Sequence, residues 1–459
     1  MAKSSRLLRF WLKKRRVRLS PMQTIALVFA GIILLGTLLL TLPSASRDGQ
    51  TTSVLDALFT ATSATCVTGL VRFDTWSHWS GFGQTVILLL IEIGGLGFMS
   101  AASIVVFLFR RRVSLRQRMV MAQALSLNEM EGAVRLQKWV LIGSVSIQLL
   151  GALVLFLRFL PDYGLEQSAV WGIFHAVSAF CNAGFDIFGS IQPGASVICL
   201  NDDPVVLCTL MVLIVVGGLG FLVWEELVRV RSFRKFSVYT KLVLLTTGVL
   251  ILFGAALVLV LEWNNPDTLG AMPVWQKTLN AFFQSVTLRT AGFASVDQGG
   301  LTDASKAISM VLMLIGGSSG STAGGLKTVS FIVILLFIWA RARGRHTVHV
   351  FHRSVPAEKV LDAMTIAGIL VMLAGLGAVI ISATSPVGFV DALFETVSAL
   401  GTVGLTTGIT TALSIPAQIL VIIFMYFGRV GVLTISLGFL MGDRAADRFQ
   451  YAYTNLLIG

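Results

Sequence analysis

The chain has 459 residues, of which 55% are hydrophobic and only 13% are charged, and its formal net charge is +12. Soluble domains carry about 25% charged residues, so this composition excludes an ordinary soluble protein and indicates a chain embedded in a lipid bilayer. A helix needs about 20 apolar residues to cross the hydrocarbon core. By that criterion the sequence predicts eight membrane spans, at residues 22–43, 82–109, 138–160, 204–227, 240–262, 305–340, 359–383 and 413–442.

The charged residues are distributed unevenly around these predicted spans. Segment 1–21 is basic and contains no acidic residue, and further arginines and lysines follow the second, fourth, sixth and eighth spans. The other connections are rich in aspartate. The positive-inside rule therefore predicts that both termini, including segment 443–459, lie in the cytoplasm. Because the basic residues flank apolar spans in short loops, we expect membrane lipids rather than nucleic acid to be their partners.

An internal repeat divides the chain into four similar parts. Four segments each end in a glycine that is followed by a bulky apolar residue, and these glycines are 115, 108 and 112 residues apart. A phenylalanine precedes each glycine by ten residues. The pairs are Phe59 and Gly69, Phe174 and Gly184, Phe282 and Gly292, and Phe394 and Gly404. The predicted repeats are 22–118, 119–235, 236–353 and 354–442.

Each repeat has the same predicted order of elements. A spanning helix comes first, a segment of about eleven residues leads to the glycine, and a second spanning helix follows. Eleven helical residues extend only about 17 Å, roughly half of the bilayer, so this segment is predicted to be a re-entrant pore helix. Four such loops can bury their unpaired backbone by converging on one axis. The predicted fold class is an all-α polytopic membrane protein with four tandem helix–pore loop–helix repeats arranged pseudo-four-fold around one central ion pore.

The residues at the end of each pore helix suit a filter for a dehydrated cation. Potassium selectivity rests on rings of backbone carbonyl oxygens, and glycine reaches the positive φ values that such loops need. Filter loops are predicted near residues 65–70, 180–185, 288–293 and 400–405. The residues predicted to bind potassium are Val67, Thr68, Gly69, Asn182, Ala183, Gly184, Thr290, Ala291, Gly292, Thr402, Val403 and Gly404. In the connecting loops, Asp74, Asp186 and Asp297 predict a vestibule that attracts cations.

The third filter segment departs from the other three. Val286 stands where the others have a serine. Arg289 takes the position that the other repeats fill with Cys66, Cys181 and Gly401. A guanidinium that faced the pore would repel a passing cation. We therefore expect Arg289 to point away from the pore and to pair with an acid or with loop carbonyls.

The second helix of each repeat contains a glycine cluster, and the cluster of repeat three predicts a gate. In repeats one and two the clusters predict close helix packing. Residues 316–325 read GGSSGSTAGG, and each glycine costs about 1 kcal/mol relative to alanine in a helix, so this segment is predicted to interrupt its helix and obstruct the pore. Arg429, a charge inside the last span, would hold this loop shut. The predicted gate residues are Gly316, Gly317, Ser318, Ser319, Gly320, Ser321, Thr322, Ala323, Gly324, Gly325 and Arg429. Lys327 either anchors the loop as well or snorkels towards the cytoplasm.

With these four filter segments in series, the sequence resembles the Trk/Ktr/HKT superfamily of potassium transporters over about residues 22–442, and it is most similar to the bacterial Ktr membrane subunits. The resemblance implies potassium uptake across the bacterial plasma membrane, with an intramembrane gating loop and no covalently bound cofactor. Gly69 in the first filter implies a preference for potassium over sodium. The resemblance also implies a homodimer that sits on a cytoplasmic nucleotide-binding subunit of the Ktr A or Trk A type. Whether sodium acts as an activator stays open.

Two other classes of function bear comparison with potassium uptake. A secondary transporter or symporter of another monovalent cation, such as sodium, is the alternative to potassium uptake. An enzyme would need a convergent nucleophile, metal set or carboxylate pair, and the sequence offers only Asp202 and Asp203 as a tight acidic pair in a predicted outer loop. We therefore do not expect an enzyme.

Overall fold

The computed structural model describes residues 21–97 and 133–431. In chain order its helices are α1 (Pro21–Leu40), α2 (Val54–Cys66), α3 (Thr75–His78), α4 (Gly81–Leu96), α5 (Ala133–Cys181), α6 (Pro204–Leu219), α7 (Phe221–Val230), α8 (Val238–Glu262), α9 (Val274–Thr287), α10 (Asp303–Leu314), α11 (Thr328–Ala342), α12 (Ala357–Thr384), α13 (Phe389–Gly401) and α14 (Ile415–Val430). One antiparallel hairpin, β1 (Val348–Val350) with β2 (Arg353–Val355), links α11 to α12. Outside this description lie residues 1–20 of the predicted cytoplasmic segment 1–21, the predicted cytoplasmic segment 443–459, the connection 98–132 and residues 432–442.

The first helix of each repeat is long enough to span a membrane. Within the described ranges, α1, α5, α8 and α12 are the four helices with the length and hydropathy of a membrane span, and a fifth results if the bent pair α6 and α7 counts as one. In repeats one, three and four, this helix packs along the pore helix that follows it. In repeat two, the spanning helix and the pore helix form one run, α5, which is interrupted at Gly164, where φ is 74°.

The pore helices are largely buried within the described part of the protein. They are α2, the end of α5, α9 and α13, and the three separate ones are 13, 14 and 13 residues long. All residues from Phe59 to Cys66 in α2 are buried, as are all residues from Phe394 to Gly401 in α13. Thirteen helical residues rise about 20 Å, so these helices cannot cross the hydrocarbon core. The predicted short pore helix is therefore present in every repeat.

The second helices of repeats one, two and four each stop at a glycine, whereas the sequence predicted an interrupted second helix only in repeat three. Helices α4, α6 and α14 end directly before Gly97, Gly220 and Gly431, whose φ angles are 81°, 95° and 92°. Such positive φ values end a right-handed helix and favour glycine. After Gly220 the chain turns by 96° into α7. The span predicted over 204–227 is therefore bent at Gly220 and is not one straight helix. Within the spans predicted over 82–109 and 413–442, the helices end before Gly97 and Gly431.

The same glycine clusters bring the second helices into contact with the pore helices. A Cβ on Gly94 would lie 2.0 Å from the carbonyl oxygen of Thr65, and one on Gly217 would lie 2.0 Å from that of Phe180. A Cβ on Gly428 would lie 2.3 Å from the oxygen of Leu400. Since no side chain fits at these distances, the clusters permit a close backbone approach. The packing interpretation is confirmed for repeats one and two, although it missed the helix breaks.

Candidate functional site

The four predicted filter turns meet in a closed ring. A Cβ placed on Gly69 would lie 2.5 Å from the carbonyl oxygen of Ala183, and one on Gly404 would lie 2.2 Å from that of Thr68. Likewise, a Cβ on Gly184 would lie 2.7 Å from the carbonyl oxygen of Ala291, and one on Gly292 would lie 2.5 Å from that of Val403. Each glycine therefore lies against the residue that precedes the glycine of the next repeat. This cyclic order, from repeat one through repeat four and back, surrounds a single axis.

Each filter turn has the same unusual backbone. The glycines Gly69, Gly184, Gly292 and Gly404 have φ angles of 95°, 68°, 86° and 93°. The residues two positions earlier are also left-handed, with φ angles of 57° at Val67, 58° at Asn182, 66° at Thr290 and 50° at Thr402. Positive φ is rare for β-branched residues and costs about 1–3 kcal/mol unless the surroundings impose it. The sequence predicted positive φ angles at the glycines but not at the second left-handed position.

A hydroxyl at the end of each pore helix fixes the filter turn. Ser63 and Ser398 accept hydrogen bonds from the backbone N–H groups of Gly69 and Gly404, at 3.1 and 3.0 Å. Ser178 donates to the carbonyl oxygen of Phe185 at 2.6 Å. These bonds join each pore helix directly to its own filter strand.

In repeat three the equivalent bond comes from Thr287, which donates to the carbonyl oxygen of Phe293 at 2.7 Å. The third turn is one residue shorter, because Thr287 lies five residues before its filter glycine and the serines lie six before theirs. The same shift explains why Phe283 is fully buried while Phe282 is 36% exposed. The predicted equivalence of Phe282 with the other three phenylalanines is therefore wrong.

A cavity with acidic residues in its wall opens onto one face of the ring. It has a volume of about 280 Å³, and all four filter glycines line it together with Asp74, Asp186 and Asp297. We call this cavity the vestibule. Burial and the neighbouring carboxylate of Asp74 raise the pKa of Asp186 to about 7. Arg72, which also lines the vestibule, is paired with Asp56 at 3.0 Å. The acidic vestibule predicted from the loop sequences is thus present, with one carboxyl group that titrates near neutral pH.

On the opposite face of the ring lies the glycine-rich segment 316–325, which we call the gate loop. It is non-helical, as predicted, and separates α10 from α11. The Thr322 hydroxyl lies 3.2 Å from both the carbonyl oxygen of Phe180 and the side-chain amide of Asn182. A Cβ on Gly324 would lie 2.0 Å from the Thr402 hydroxyl. The gate loop therefore packs directly against the second and fourth filter turns.

Three cationic side chains hold the gate loop by its carbonyl oxygens. Arg429 donates to the carbonyl oxygens of Thr322 and Gly94, and to that of Gly95 at 3.0 Å. Lys327 donates to the carbonyl oxygen of Ala323 at 2.8 Å. Arg429 and Lys327 thus make the contacts expected of anchors.

The third cation, Arg289, also points towards the gate loop. It donates to the carbonyl oxygen of Gly316 at 3.4 Å and to the Thr328 hydroxyl at 3.3 Å. The expectation that it pairs with loop carbonyls is confirmed.

Two further contacts of the gate loop were not predicted. The phenol of Tyr239, at the start of α8, donates to the carbonyl oxygen of Ser319 at 3.0 Å. Backbone groups near the break between α6 and α7 also bond to the loop. Ser318 N–H donates to the carbonyl oxygen of Gly218 at 3.0 Å, and Phe221 N–H donates to that of Gly320 at 2.8 Å. No sequence motif marks Tyr239, because its partner is a backbone oxygen 80 residues away.

Comparisons with known proteins agree with this architecture. A family model described as "TrkH: Cation transport protein" matches residues 9–446. The chain is 39% identical to the potassium/sodium uptake protein NtpJ of Enterococcus hirae, over 98% of this chain and 99% of the relative. It is 38% identical to the Ktr system potassium uptake protein B of Bacillus subtilis, over 94% of this chain and 96% of the relative.

The fold comparison uses a solved structure. The crystal structure of the potassium transporter TrkH from Vibrio parahaemolyticus matches with a TM-score of 0.72 and 18% identity, and the match covers 94% of this chain and 86% of that one. Such a likeness supports the fold, while the two relatives and the family model carry the assignment. The chain therefore belongs to the TrkH family of cation transport proteins.

Proposed function

We propose that this chain takes up potassium through the closed ring of filter turns. The single observation that carries the proposal is the cyclic contact of Gly69, Gly184, Gly292 and Gly404, each against a carbonyl-bearing turn of the next repeat. Four backbone turns around one axis provide rings of carbonyl oxygens that replace the water shell of a monovalent cation. Relatives described as potassium uptake proteins support potassium as the substrate.

The twelve predicted filter residues have separate roles in this proposal. Their carbonyl oxygens bind potassium, and the paired left-handed positions turn successive carbonyls towards the axis. Hydroxyls of Ser63, Ser178, Thr287 and Ser398 hold these turns at a fixed width. The vestibule collects cations because Asp74, Asp186 and Asp297 line it.

The gate loop closes the path on the side away from the vestibule. It packs against two filter turns, and Arg429 holds it through the carbonyl oxygen of Thr322. A guanidinium at this position also raises the barrier for a cation, because the charge acts in a low-dielectric environment. Conduction then requires the gate loop to leave the axis.

The cellular setting follows from the charge pattern and from the names of the relatives. We place the chain in the bacterial plasma membrane with both termini in the cytoplasm, where its basic loops contact anionic lipids. It works as a homodimer with a cytoplasmic nucleotide-binding subunit of the Ktr A or Trk A type. Relatives named as parts of a Ktr system support a multi-subunit assembly. We also propose sodium as an activator; the name of one relative, a potassium/sodium uptake protein, connects sodium with uptake by that relative.

Growth and uptake in a potassium-transport-deficient bacterium test this function. We expect the chain, expressed with a nucleotide-binding partner subunit, to restore growth at low potassium and to accumulate rubidium. Uptake measured with sodium, and with choline in its place, separates activation by sodium from indifference to it. An excess of unlabelled potassium should abolish rubidium uptake. If excess sodium abolished it equally well, sodium transport, the alternative function, would replace the proposal.

A further inference from the structure

A second set of equivalent polar residues lies on the pore helices, three positions before the hydroxyl groups that fix the filter turns. They are Thr60, His175, Gln284 and Glu395. All four are at most 2% exposed. Because residues three positions apart lie on the same face of a helix, these side chains point towards the filter strands, as the hydroxyl groups do.

In repeats three and four, this residue bonds to a side chain in the loop that follows the filter. Gln284 exchanges two hydrogen bonds with Gln298, at 2.6 and 3.1 Å. Oε1 of Glu395 is hydrogen-bonded to the hydroxyl of Thr410. Gln298 and Thr410 are each the sixth residue after their filter glycine, and both line the vestibule. The two bonds are therefore equivalent, and each joins a pore helix to the vestibule wall of its own repeat.

In repeat two, the same position bonds to the backbone. Nε2 of His175 accepts a hydrogen bond at 3.2 Å from the N–H of Ile187, the third residue after Gly184. Three of the pore helices thus bond their own filter strand twice. The hydroxyl groups bond it at the filter glycine or the next residue, and this second set bonds it again three or six residues later.

Glu395 is the acid of this set, and its surroundings favour the neutral form. It is fully buried, and none of the ion pairs in residues 21–97 and 133–431 includes it. Lys306, on the packed helix α10, is instead paired with Asp391 at 3.1 Å. Burying an ionised carboxylate without a cation is costly, whereas a neutral carboxyl group can share a hydrogen bond with the Thr410 hydroxyl at little cost.

The bond from Glu395 continues along the vestibule wall towards the ring. The hydroxyl groups of Thr410 and Thr406 are 3.0 Å apart, and the Thr406 hydroxyl accepts from Gly408 N–H at 3.0 Å. Thr406 is the second residue after the filter glycine Gly404. These bonds therefore connect the pore helix α13 to the chain directly beyond the fourth filter turn.

We propose that Glu395, as a neutral acid, is a positioning residue that helps the filter to discriminate potassium from sodium. Selectivity depends on where the carbonyl oxygens of the ring are held. Ser398 fixes the fourth turn at Gly404, and Glu395 fixes the chain beyond it through Thr410. Glu395 does not touch the ion and acts through the backbone. This assignment rests on the proposed function of the ring as a potassium filter.

Rubidium uptake by the full-length chain with its partner subunit tests the assignment. The readout is the ratio of the sodium and potassium concentrations that halve rubidium uptake. Glu395→Met keeps the length of the side chain but removes the bond to Thr410, so we expect the ratio to fall about fivefold, the effect of one hydrogen bond. Glu395→Gln is neutral, has the same length and can still bond to Thr410, so it should keep the wild-type ratio. An equal fall in Glu395→Gln would mean that a negative charge acts there, and it would overturn the neutral acid.

Thr410→Val breaks the same bond from its other end. It should lower the ratio as much as Glu395→Met does, and the double variant should be no worse than either, because changes that remove one shared interaction do not add. Thr384→Val, at an exposed threonine whose hydroxyl donates to the carbonyl oxygen of Ile380 in its own helix, should leave the ratio unchanged. A wild-type ratio in both Glu395→Met and Thr410→Val, or full additivity in the double variant, would overturn the assignment. If Glu395→Met does not fold, Thr410→Val alone decides.

Thermal unfolding of the purified full-length protein tests the assignment without transport, because an ion that binds only the native state raises the unfolding temperature. Wild-type protein should unfold at a higher temperature in potassium chloride than in sodium chloride of equal concentration. This difference should shrink in Glu395→Met and Thr410→Val and persist in Glu395→Gln. If wild-type protein showed the difference but no uptake, the proposed function would fail while Glu395 was still tested. A full difference in both Glu395→Met and Thr410→Val would overturn the role of Glu395, and no difference in wild-type protein would overturn both proposals.

Discussion

The two faces of the filter ring are built in different ways. On the vestibule side, four turns with similar φ angles repeat around the axis, and hydroxyl groups at the ends of their own pore helices hold them. On the other side, one loop from repeat three is held by the adjacent Lys327 and by two arginines and a phenol that lie elsewhere in the sequence. Selection of an ion needs equal ligands around it, whereas a gate needs one element that can leave. The symmetric half is therefore expected to tolerate change least.

The largest expected effect comes from adding one methyl group inside the ring. In Gly404→Ala the new Cβ would lie 2.2 Å from the carbonyl oxygen of Thr68, in a backbone with φ of 93°. Because the turn must move away from the axis, we expect rubidium uptake to fall by at least about tenfold, which corresponds to about 1.4 kcal/mol of barrier. Uptake is measured in cells after normalisation to the amount of protein in the membrane.

Gly408→Ala is the matched control for this change. Gly408 has nearly the same φ, 94°, but a Cβ there meets nothing within 4 Å. Both variants therefore bear a similar local backbone strain, and only Gly404→Ala disturbs the ring. Equal losses of uptake in the two variants would mean that strain, rather than the closeness of the ring, determines the effect.

Replacing Arg429 tests the asymmetric half. We expect it to raise rubidium uptake, whereas Gly404→Ala should lower it. Arg429→Ala removes the hydrogen bonds to the carbonyl oxygens of Thr322, Gly94 and Gly95. A hydrogen bond to a charged group contributes about 1.5–3 kcal/mol, so its loss should raise the open population, and with it the uptake rate, by about tenfold or more. A deletion within 316–325 should have the same effect.

Arg343→Ala serves as the control for this variant, because Arg343 is an exposed arginine that stacks on Trp339 at the end of α11. Its removal should leave uptake unchanged. An unaltered uptake rate in a well-folded Arg429→Ala protein would remove the gate assignment.

A smaller increase is expected from a variant of Tyr239. Tyr239→Phe deletes the single hydrogen bond to the carbonyl oxygen of Ser319, worth about 0.5–1.5 kcal/mol, so uptake should rise by a few-fold. Tyr426→Phe deletes a comparable bond, from its phenol to the carbonyl oxygen of Ala26, far from the gate loop in sequence. Rubidium uptake by the two variants is compared side by side. A rise in both, or in Tyr426→Phe alone, would mean that the bond to Ser319 does not restrain the gate.

The symmetric half, which consists of the pore helices and filter turns, could be predicted from sequence because its residue pattern occurs four times along the chain. The repeated Phe and Gly positions locate the pore helices and the filter glycines, and the glycine-rich 316–325 locates the gate loop. The one-residue shortening of the third turn was not predicted, because Phe282 and Phe283 are adjacent and spacing alone does not show which of the two is buried. This shift could have been suspected from Thr287, a hydroxyl one position after Val286.

In the asymmetric half, the gate loop and its anchor Arg429 were predicted, but the individual partner atoms were not, because the bonds run to backbone atoms. Tyr239 and Arg429 donate to backbone carbonyl oxygens of residues 80 and 107 positions away along the chain. Every residue has such an oxygen, so the residue type gives no sign of the bond. Breaks at Gly97 and Gly220 were missed because glycine in an apolar run signals close packing as readily as a helix end. A cationic side chain within a predicted span is the most useful sequence clue to this half. Burying a charge in the membrane costs free energy, so such a side chain is expected to have a specific partner.

The smallest expected effect concerns the charge of the vestibule and shows how weakly that region depends on a single residue. With a pKa of about 7, Asp186 is mostly neutral below pH 7 and mostly negative above it. A negative vestibule concentrates cations, so uptake at subsaturating potassium should rise roughly threefold between pH 6 and pH 8. Asp186→Asn should abolish this rise and keep the low-pH rate throughout, whereas Asp267→Asn, which does not line the vestibule, should not. Because the effect is on local ion concentration, it should vanish at saturating potassium and shrink at high ionic strength. A pH dependence that persisted in Asp186→Asn would assign the titration to another group and would contradict the role given to Asp186.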